Sequence, residues 1–343
     1  MTVSASPDLP LTLTPHASRY WWPPEAPLAA ARDDRNGIAI VTAFFDIGRT
    51  GWNRRDSDVS PKYRRSVDAY FECFDRLAAL RNDLVVFTES AFAPRILESR
   101  RAHGLDDRTT LLVIEDLFEL PEVRAPLDAI RAALSDRYRD FLWRPSAPEF
   151  NKPEYVALVS LKSTFACTAV ELGAVRARQL AWIDFGYVRD PASTAGIDAW
   201  AFDFGDKMNI FNIFALDDAP IYDIVRRADA YIQACHIVGP ALAWADYHGR
   251  ISEAFRALFA CGLMDDEQTM MLMAFRAAPD AFVLRRCRPD SPLSWRFIFQ
   301  RFQLGETPED QALDPVRPKP QPDWFRTLKT VIRRRAQALL RRF

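Results

Sequence analysis

Ala181-Trp182-Ile183-Asp184-Phe185-Gly186-Tyr187 is the stretch whose reading decides the fold. Apolar and aromatic positions lead to a single carboxylate, and a glycine follows two residues later. The run reads as a short buried strand ending in an acid. In an open α/β sheet, ligands bind just beyond the carboxyl ends of the strands. Asp184 sits where a ligand or a metal-bound diphosphate would be held, and Gly186 lets backbone and ligand approach closely. The plainer alternative is that Asp184 only shapes the turn after the strand.

The flanking sequence supplies the rest of such a sheet. Ile38 to Phe45 is apolar except for Thr42, the pattern of a central parallel strand, and it runs into the loop Asp46-Ile47-Gly48-Arg49. Ser60-Pro61 carries the signal of a helix start, and Tyr63, Val67, Tyr70, Phe71, Phe74 and Leu77 recur on one helical face. Leu84 to Phe87 and Leu111 to Ile114 read as further strands, with helices around 93–103 and 126–142. Glu154 to Arg176 reads as one long helix with Ser160, Thr164, Thr168 and Glu171 on its polar face. Lys162 falls on the opposite, apolar side, where an ammonium needs an anionic partner or must reach out to water. Beyond Asp184, strands are expected at 207–214, 231–238 and 281–284, and helices at 241–259 and from Asp265 to about Phe275. Strand and helix in alternation specify an α/β fold with a mostly parallel sheet flanked by helices.

Composition bounds the function. The chain has 343 residues, 49% hydrophobic and 27% charged, as expected of a globular protein with a full core. No run approaches the ~18 apolar residues of a membrane span. No basic-then-apolar leader opens the chain, and the five cysteines fall in no C-x-x-C spacing, so a reduced, cytoplasmic setting is expected. Seven Lys or Arg and no acid lie between Trp324 and Phe343; taking them from the total of 45 leaves 38 basic against 46 acidic residues, a formal −8. An acidic body argues against nucleic acid as a partner.

The chain divides accordingly. Residues 1–35 form a Pro-rich irregular leader, 36–305 a single domain, 306–323 a Pro-rich linker, and 324–343 a basic amphipathic helix. That last helix either docks on the acidic body or lies on an anionic membrane surface. Each Lys or Arg is worth about 1 kcal/mol at such a surface, and the Pro-rich spacer favours membrane contact.

Four constellations carry chemistry. Thr42, Asp46 and Arg49 stand at the end of the first strand, where they either bind a nucleoside and its phosphate or form an ordinary polar loop. Asp265-Asp266-Glu267-Gln268 reads as a capping box with Asp265 as N-cap, leaving Asp266 or Glu267 to take a proton from an attacking hydroxyl. His236 either completes a metal shell beside Asp184 or is a core histidine. Lys162, Arg49 and Asp184 are expected to converge on one pyrophosphate-sized pocket.

Val41 to Arg49, Asn151-Lys152-Pro153-Glu154-Tyr155 leading to Lys162, Trp182 to Tyr187, and Asp266-Glu267-Gln268 follow one another in an order and spacing that resembles the HtrL/YibB (WlaTC-type) family. The resemblance covers about residues 37–290 and leaves out leader and tail. It implies a GT-A-like, Rossmann-type fold, with a nucleotide-binding half at about 36–190 and an acceptor half at about 191–305. It also implies a glycosyltransferase of surface-polysaccharide or lipopolysaccharide assembly. The donor would be a nucleotide diphosphate sugar, UDP-linked, and the acceptor a glycan or a lipid-linked molecule. Thr42, Asp46, Arg49, Lys162, Gly186, Glu267 and Gln268 would bind substrate, Asp184 and Asp266 would be catalytic, and Asp184 with His236 would hold Mn²⁺ or Mg²⁺. The Asp-x-Asp that enzymes of the implied GT-A type usually carry stands here as Asp184-Phe185-Gly186, without its second acid. That absence keeps two other readings open: a non-catalytic nucleotide-sugar-binding subunit of an assembly complex, and a metal-dependent phosphohydrolase using Asp184 and Asp46. The transferase would sit at the cytoplasmic face of the membrane through 324–343.

Overall fold

A computed structural model describes residues 37–52, 59–175, 177–287 and 294–303, together with 332 and 335. The leader, the Pro-rich linker and nearly all of the basic tail lie outside the described residues; Ile332 and Arg335 are helical and exposed.

Seven strands form one sheet: β1 (Ile38–Phe44), β2 (Leu84–Thr88), β3 (Thr109–Val113), β4 (Gln179–Ile183), β5 (Met208–Asn212), β6 (Ile232–Pro240) and β7 (Phe282–Arg286). Their spatial order is β3-β2-β1-β4-β6-β5-β7. All pairings are parallel except those of β6, which runs antiparallel to both β4 and β5. The apolar runs explain the parallel core, since strands covered on both faces need apolar side chains on both.

Helices α1 (Val67–Ala78), α2 (Ala93–Arg101), α3 (Pro121–Ala133), α4 (Asp136–Phe141), α5 (Pro153–Ser160), α6 (Lys162–Glu171), α7 (Ile221–Arg227), α8 (Trp244–Ala260), α9 (Glu267–Ala277) and α10 (Ile298–Arg301) complete the fold. Alternate strand residues feed two cores. Val41, Phe87, Leu180, Trp182 and Ile210 meet α3, α5, α6, α8 and α9 on one face. Ile40, Val86, Ala181, Ile183 and Phe211 meet α1, α2 and α10 on the other. No helix among the described residues is long and apolar enough to cross a membrane.

Three sequence expectations are corrected. Ser60-Pro61 opens only a short 3-10 turn, Pro61–Tyr63, and the chain runs extended through Arg64. The cap of α1 is Ser66, whose hydroxyl accepts from the Ala69 N–H at 3.1 Å. The 126–142 segment is two helices, α3 and α4. The long helix of 154–176 is broken at Leu161 into α5 and α6. Ser160 donates its hydroxyl back to the Val156 carbonyl at 2.7 Å, a bond that bends helices. The expected polar face is also covered, for Ser160, Thr164 and Thr168 are all buried.

The break sets Lys162 as the first residue of α6. One turn on, Phe165 is fully buried, with its ring 5.9 Å from Phe45, 4.7 Å from Phe87 and 6.0 Å from Trp182. It fixes α6 against β1 and β4. Phe165→Ala is expected to lower the free energy of unfolding in urea by about 3–5 kcal/mol, as for other large buried rings. A loss below ~1 kcal/mol would mean that α6 is held elsewhere.

Candidate active site

β1 is flanked by β2 on one side and β4 on the other, so the strand order reverses between β1 and β4. A cleft of about 340 Å³ opens at the carboxyl ends of these two strands. This is the switch point at which open α/β sheets bind ligands. Asp46, Arg49, Lys162, Asp184, Gly186, Glu267 and Gln268 all line it.

Lys162 is its centre. The Nζ lies 2.8 Å from Asp184 Oδ1 and 2.5 Å from Glu267 Oε1, and donates to the Ala234 carbonyl at 2.9 Å. An ammonium has three donors, and all three are used. Burial pulls the Lys162 pKa down, but Asp184 and Glu267 more than offset it, and the amine stays charged above its ordinary value. Lys162 therefore has no donor left for a phosphate, and positions two carboxylates instead. One ammonium cannot neutralise both acids. Burial, the largest cause, together with Asp266 and Asp184 raises the Glu267 pKa against the pull of Lys162.

Asp184 follows β4 directly. Its N–H donates to the Cys235 carbonyl at 2.8 Å, and its carbonyl accepts from Tyr187 N–H at 2.9 Å. Oδ1 also accepts from Trp182 Nε1 at 2.8 Å, while the side chain keeps 36% of its exposure. The turn continues into Gly186, where an added Cβ would stand 2.8 Å from the ring of Tyr70. Glycine is required there because the β4 loop lies flat against that ring.

Cations line the same cleft. Arg49 follows Gly48, which adopts the left-handed conformation at φ 70°. Its guanidinium packs over Trp52, Tyr70 and Tyr155 at 4.8, 5.5 and 5.7 Å. It donates to the Tyr70 hydroxyl, and to the Tyr63 carbonyl at 3.2 Å, and its Nε is buried without a partner among the described residues. Arg65 and Arg189 also line the cleft, and sequence reasoning missed both. Arg189 Nε donates to the Gly186 carbonyl at 3.4 Å. Its pKa is lowered by burial and then by the like charge of Arg65. No carboxylate within ion-pair distance of Arg49, Arg65 or Arg189 occurs among the described residues.

Three other expected residues lie apart from this arrangement. Thr42 is fully buried in β1 and does not line the cleft. Asp266, not Asp265, caps α9: its Oδ1 accepts from Gln268 N–H at 3.0 Å and its Oδ2 from Gln268 Nε2 at 3.1 Å. Both oxygens are engaged, and Asp266 is outside the cleft lining, where Glu267 stands instead. His236 is wholly buried against Phe211, Tyr187 and Trp295, on the face opposite Lys162. The pairing of β6 with β5 is irregular here: the step from Asn209 to Phe211 spans Val238 to Gln233. Burial, Arg301 and Lys162 hold His236 neutral, down to about 3. Asp46 lines the cleft but accepts from Gly48 N–H at 2.8 Å, tying the turn beneath Arg49.

The donor set at Asp184 does not fit a divalent cation. Asp184 and Glu267 already share an ammonium, Asp184 Oδ1 takes an indole N–H as well, and Asp46 is tied to the Gly48 N–H. The carboxylates that converge within 4.8 Å are those of Glu149, Asp265 and Asp266, outside the cleft. Burial, the largest cause, and neighbouring acids push Glu149 and Asp266 each up to about 7 and raise Asp265 well above its ordinary value.

A model of a family described as a bacterial protein of unknown function, HtrL_YibB, matches residues 36–302. Protein HtrL of Escherichia coli (strain K12) is 32% identical over 255 residues, 73% of this chain and 88% of that protein. The chain belongs to the HtrL/YibB family. The matched span contains every residue of the cleft, and the basic tail of this HtrL/YibB member lies beyond it.

The acid trio makes stability depend on pH. A carboxylate whose folded pKa is raised stabilises the fold while protonated, and that contribution disappears as pH rises through the folded value. For Asp266 the loss runs from about pH 4 to beyond 7. Asp266→Asn keeps a capping oxygen and removes the charge. It is expected to raise the thermal midpoint relative to the native chain at pH 8 and to change it little at pH 5. An equal shift at both values would show that Asp266 does not carry the proton.

Proposed function

We propose that this protein is a glycosyltransferase that takes a sugar from a nucleotide diphosphate sugar, UDP-linked, and passes it to a lipopolysaccharide or other surface-polysaccharide acceptor. One observation carries the reading. Three guanidinium groups without a carboxylate partner among the described residues line one cleft at the strand switch point together with an ammonium-bridged acid pair. Guanidinium groups bind phosphate oxygens bidentately, and a diphosphate leaving group needs its developing charge met by such preorganised donors. Arg49, Arg65 and Arg189 supply them here. No step is assigned to a metal ion, since Asp184 and Glu267 are both engaged by Lys162. Asp184, with one oxygen open to the cleft, would orient the donor sugar.

A second reading has its own support. Asp184 and Glu267 are paired with Lys162 and Asp46 accepts from the Gly48 N–H, which leaves none of the three lining acids without a partner as a base for the acceptor hydroxyl. On that reading the chain binds a nucleotide sugar for an assembly complex without transferring it.

The test is isotope-labelled UDP-sugars, with and without a lipopolysaccharide acceptor, alongside UDP binding by calorimetry. Arg189→Ala is expected to weaken UDP by about tenfold or more, ~1.4 kcal/mol or above. Asp184→Asn should abolish sugar transfer while UDP still binds. Binding without transfer or donor hydrolysis in the native chain favours the second reading, and near-normal turnover of Asp184→Asn removes Asp184 from the mechanism.

Cytoplasmic, peripheral attachment through 324–343 belongs to the same proposal. Full-length protein should float with anionic liposomes in a salt-sensitive way, and a chain ending at Asp323 should not. Equal flotation of both refutes the anchor.

A further inference from the structure

The cleft is lined by side chains whose buried polar atoms lack partners among the described residues. One is the Nε of Arg49. Two adjacent residues at the start of α9 each hold a buried oxygen that is likewise unpartnered. Glu267 uses Oε1 on Lys162 and leaves Oε2 without a partner. Gln268 gives its Nε2 to Asp266, which fixes the amide orientation, and leaves Oε1 without a partner. Both side chains line the cleft, as does Asp184, whose side chain is open to it.

A buried acceptor without a donor costs about 1–3 kcal/mol, and such atoms persist where a ligand or water completes them. Three acceptors side by side call for a molecule offering several donors. Hydroxyl groups fit better than an ammonium, because Lys162 already supplies the positive charge here and Arg65 and Arg189 face the same space.

We propose that the first turn of α9 is the sugar subsite: Glu267 Oε2 and Gln268 Oε1 accept hydrogen bonds from two neighbouring hydroxyls of the transferred sugar, and Asp184 accepts from a third. This rests on the transfer reading and makes Glu267 and Gln268 specificity-determining, with Lys162 as the positioning residue. The nucleotide would bind at the guanidinium groups, untouched by α9. A donor lacking one of these hydroxyls, or carrying an acetamido group in its place, leaves a buried acceptor unmet and is discriminated against.

The experiment measures affinities of the full chain for UDP, UDP-glucose, UDP-galactose and UDP-2-deoxyglucose, in the native form and in Gln268→Met and Glu267→Gln. The native chain should bind at least one UDP-sugar tenfold or more tightly than UDP. Both variants should keep UDP affinity within about twofold and lose most of the advantage of the sugar. Where the deoxy donor weakens binding to the native chain, one of the variants should show no further loss with it, the mark of a direct contact in a double-mutant cycle. Equal losses for UDP and UDP-sugar, or no loss in either variant, would overturn the subsite while leaving the transferase reading standing. A native chain that binds none of these compounds would overturn both.

Discussion

One buried ammonium group organises this site. Taking a lysine out of water is costly unless each of its protons finds an acceptor. Lys162 finds three, each from a different element: the turn after β4, the first residue of α9, and a carbonyl of β6. The requirement to satisfy that one charge thus ties β4 and β6 of the sheet to the start of α9. It also sets the local electrostatics, because one cation between two buried acids favours a proton on one of them, and Glu267 is the acid whose pKa is raised.

The sheet supplies the cleft itself by topology. The order reverses between β1 and β4, so the loops leaving them diverge and open a gap that the sheet itself cannot fill. Arg49 comes from one loop and Arg189 from the other, while Arg65 enters on the extended segment before α1. The result is a cavity lined by three guanidinium groups and an ammonium-bridged acid pair, preorganised by aromatic packing around Arg49 and by hydrogen bonding around Lys162.

Much of this was legible in the chain. The apolar runs of β1 and β4 announce parallel strands, and the acid and the guanidinium that end them stand where the topology then places a cleft. A lysine on the apolar side of a helix signals a buried partner, and the structure supplies two. Its role was less visible: only the coordinates reveal that all three protons are used within the protein. The broken helix at Leu161 escaped detection because it depends on one serine bonding back to its own turn. Asp265 and Asp266 are indistinguishable as caps until the backbone of Gln268 is placed. Arg65 and Arg189 follow no spacing rule and are lost among the other basic residues. His236 was misplaced because the irregular stretch of β6 gives no sign in an apolar run.

Tyr70 offers a mechanical consequence. Its hydroxyl receives Arg49 from the loop after β1, and its ring face presses on Gly186 in the loop after β4. A single phenol therefore serves two segments at once, its oxygen holding the guanidinium and its ring bracing the glycine turn. The two duties are separable in chemistry: removing only the hydroxyl would release Arg49 while the flat ring still supports the turn that carries Asp184.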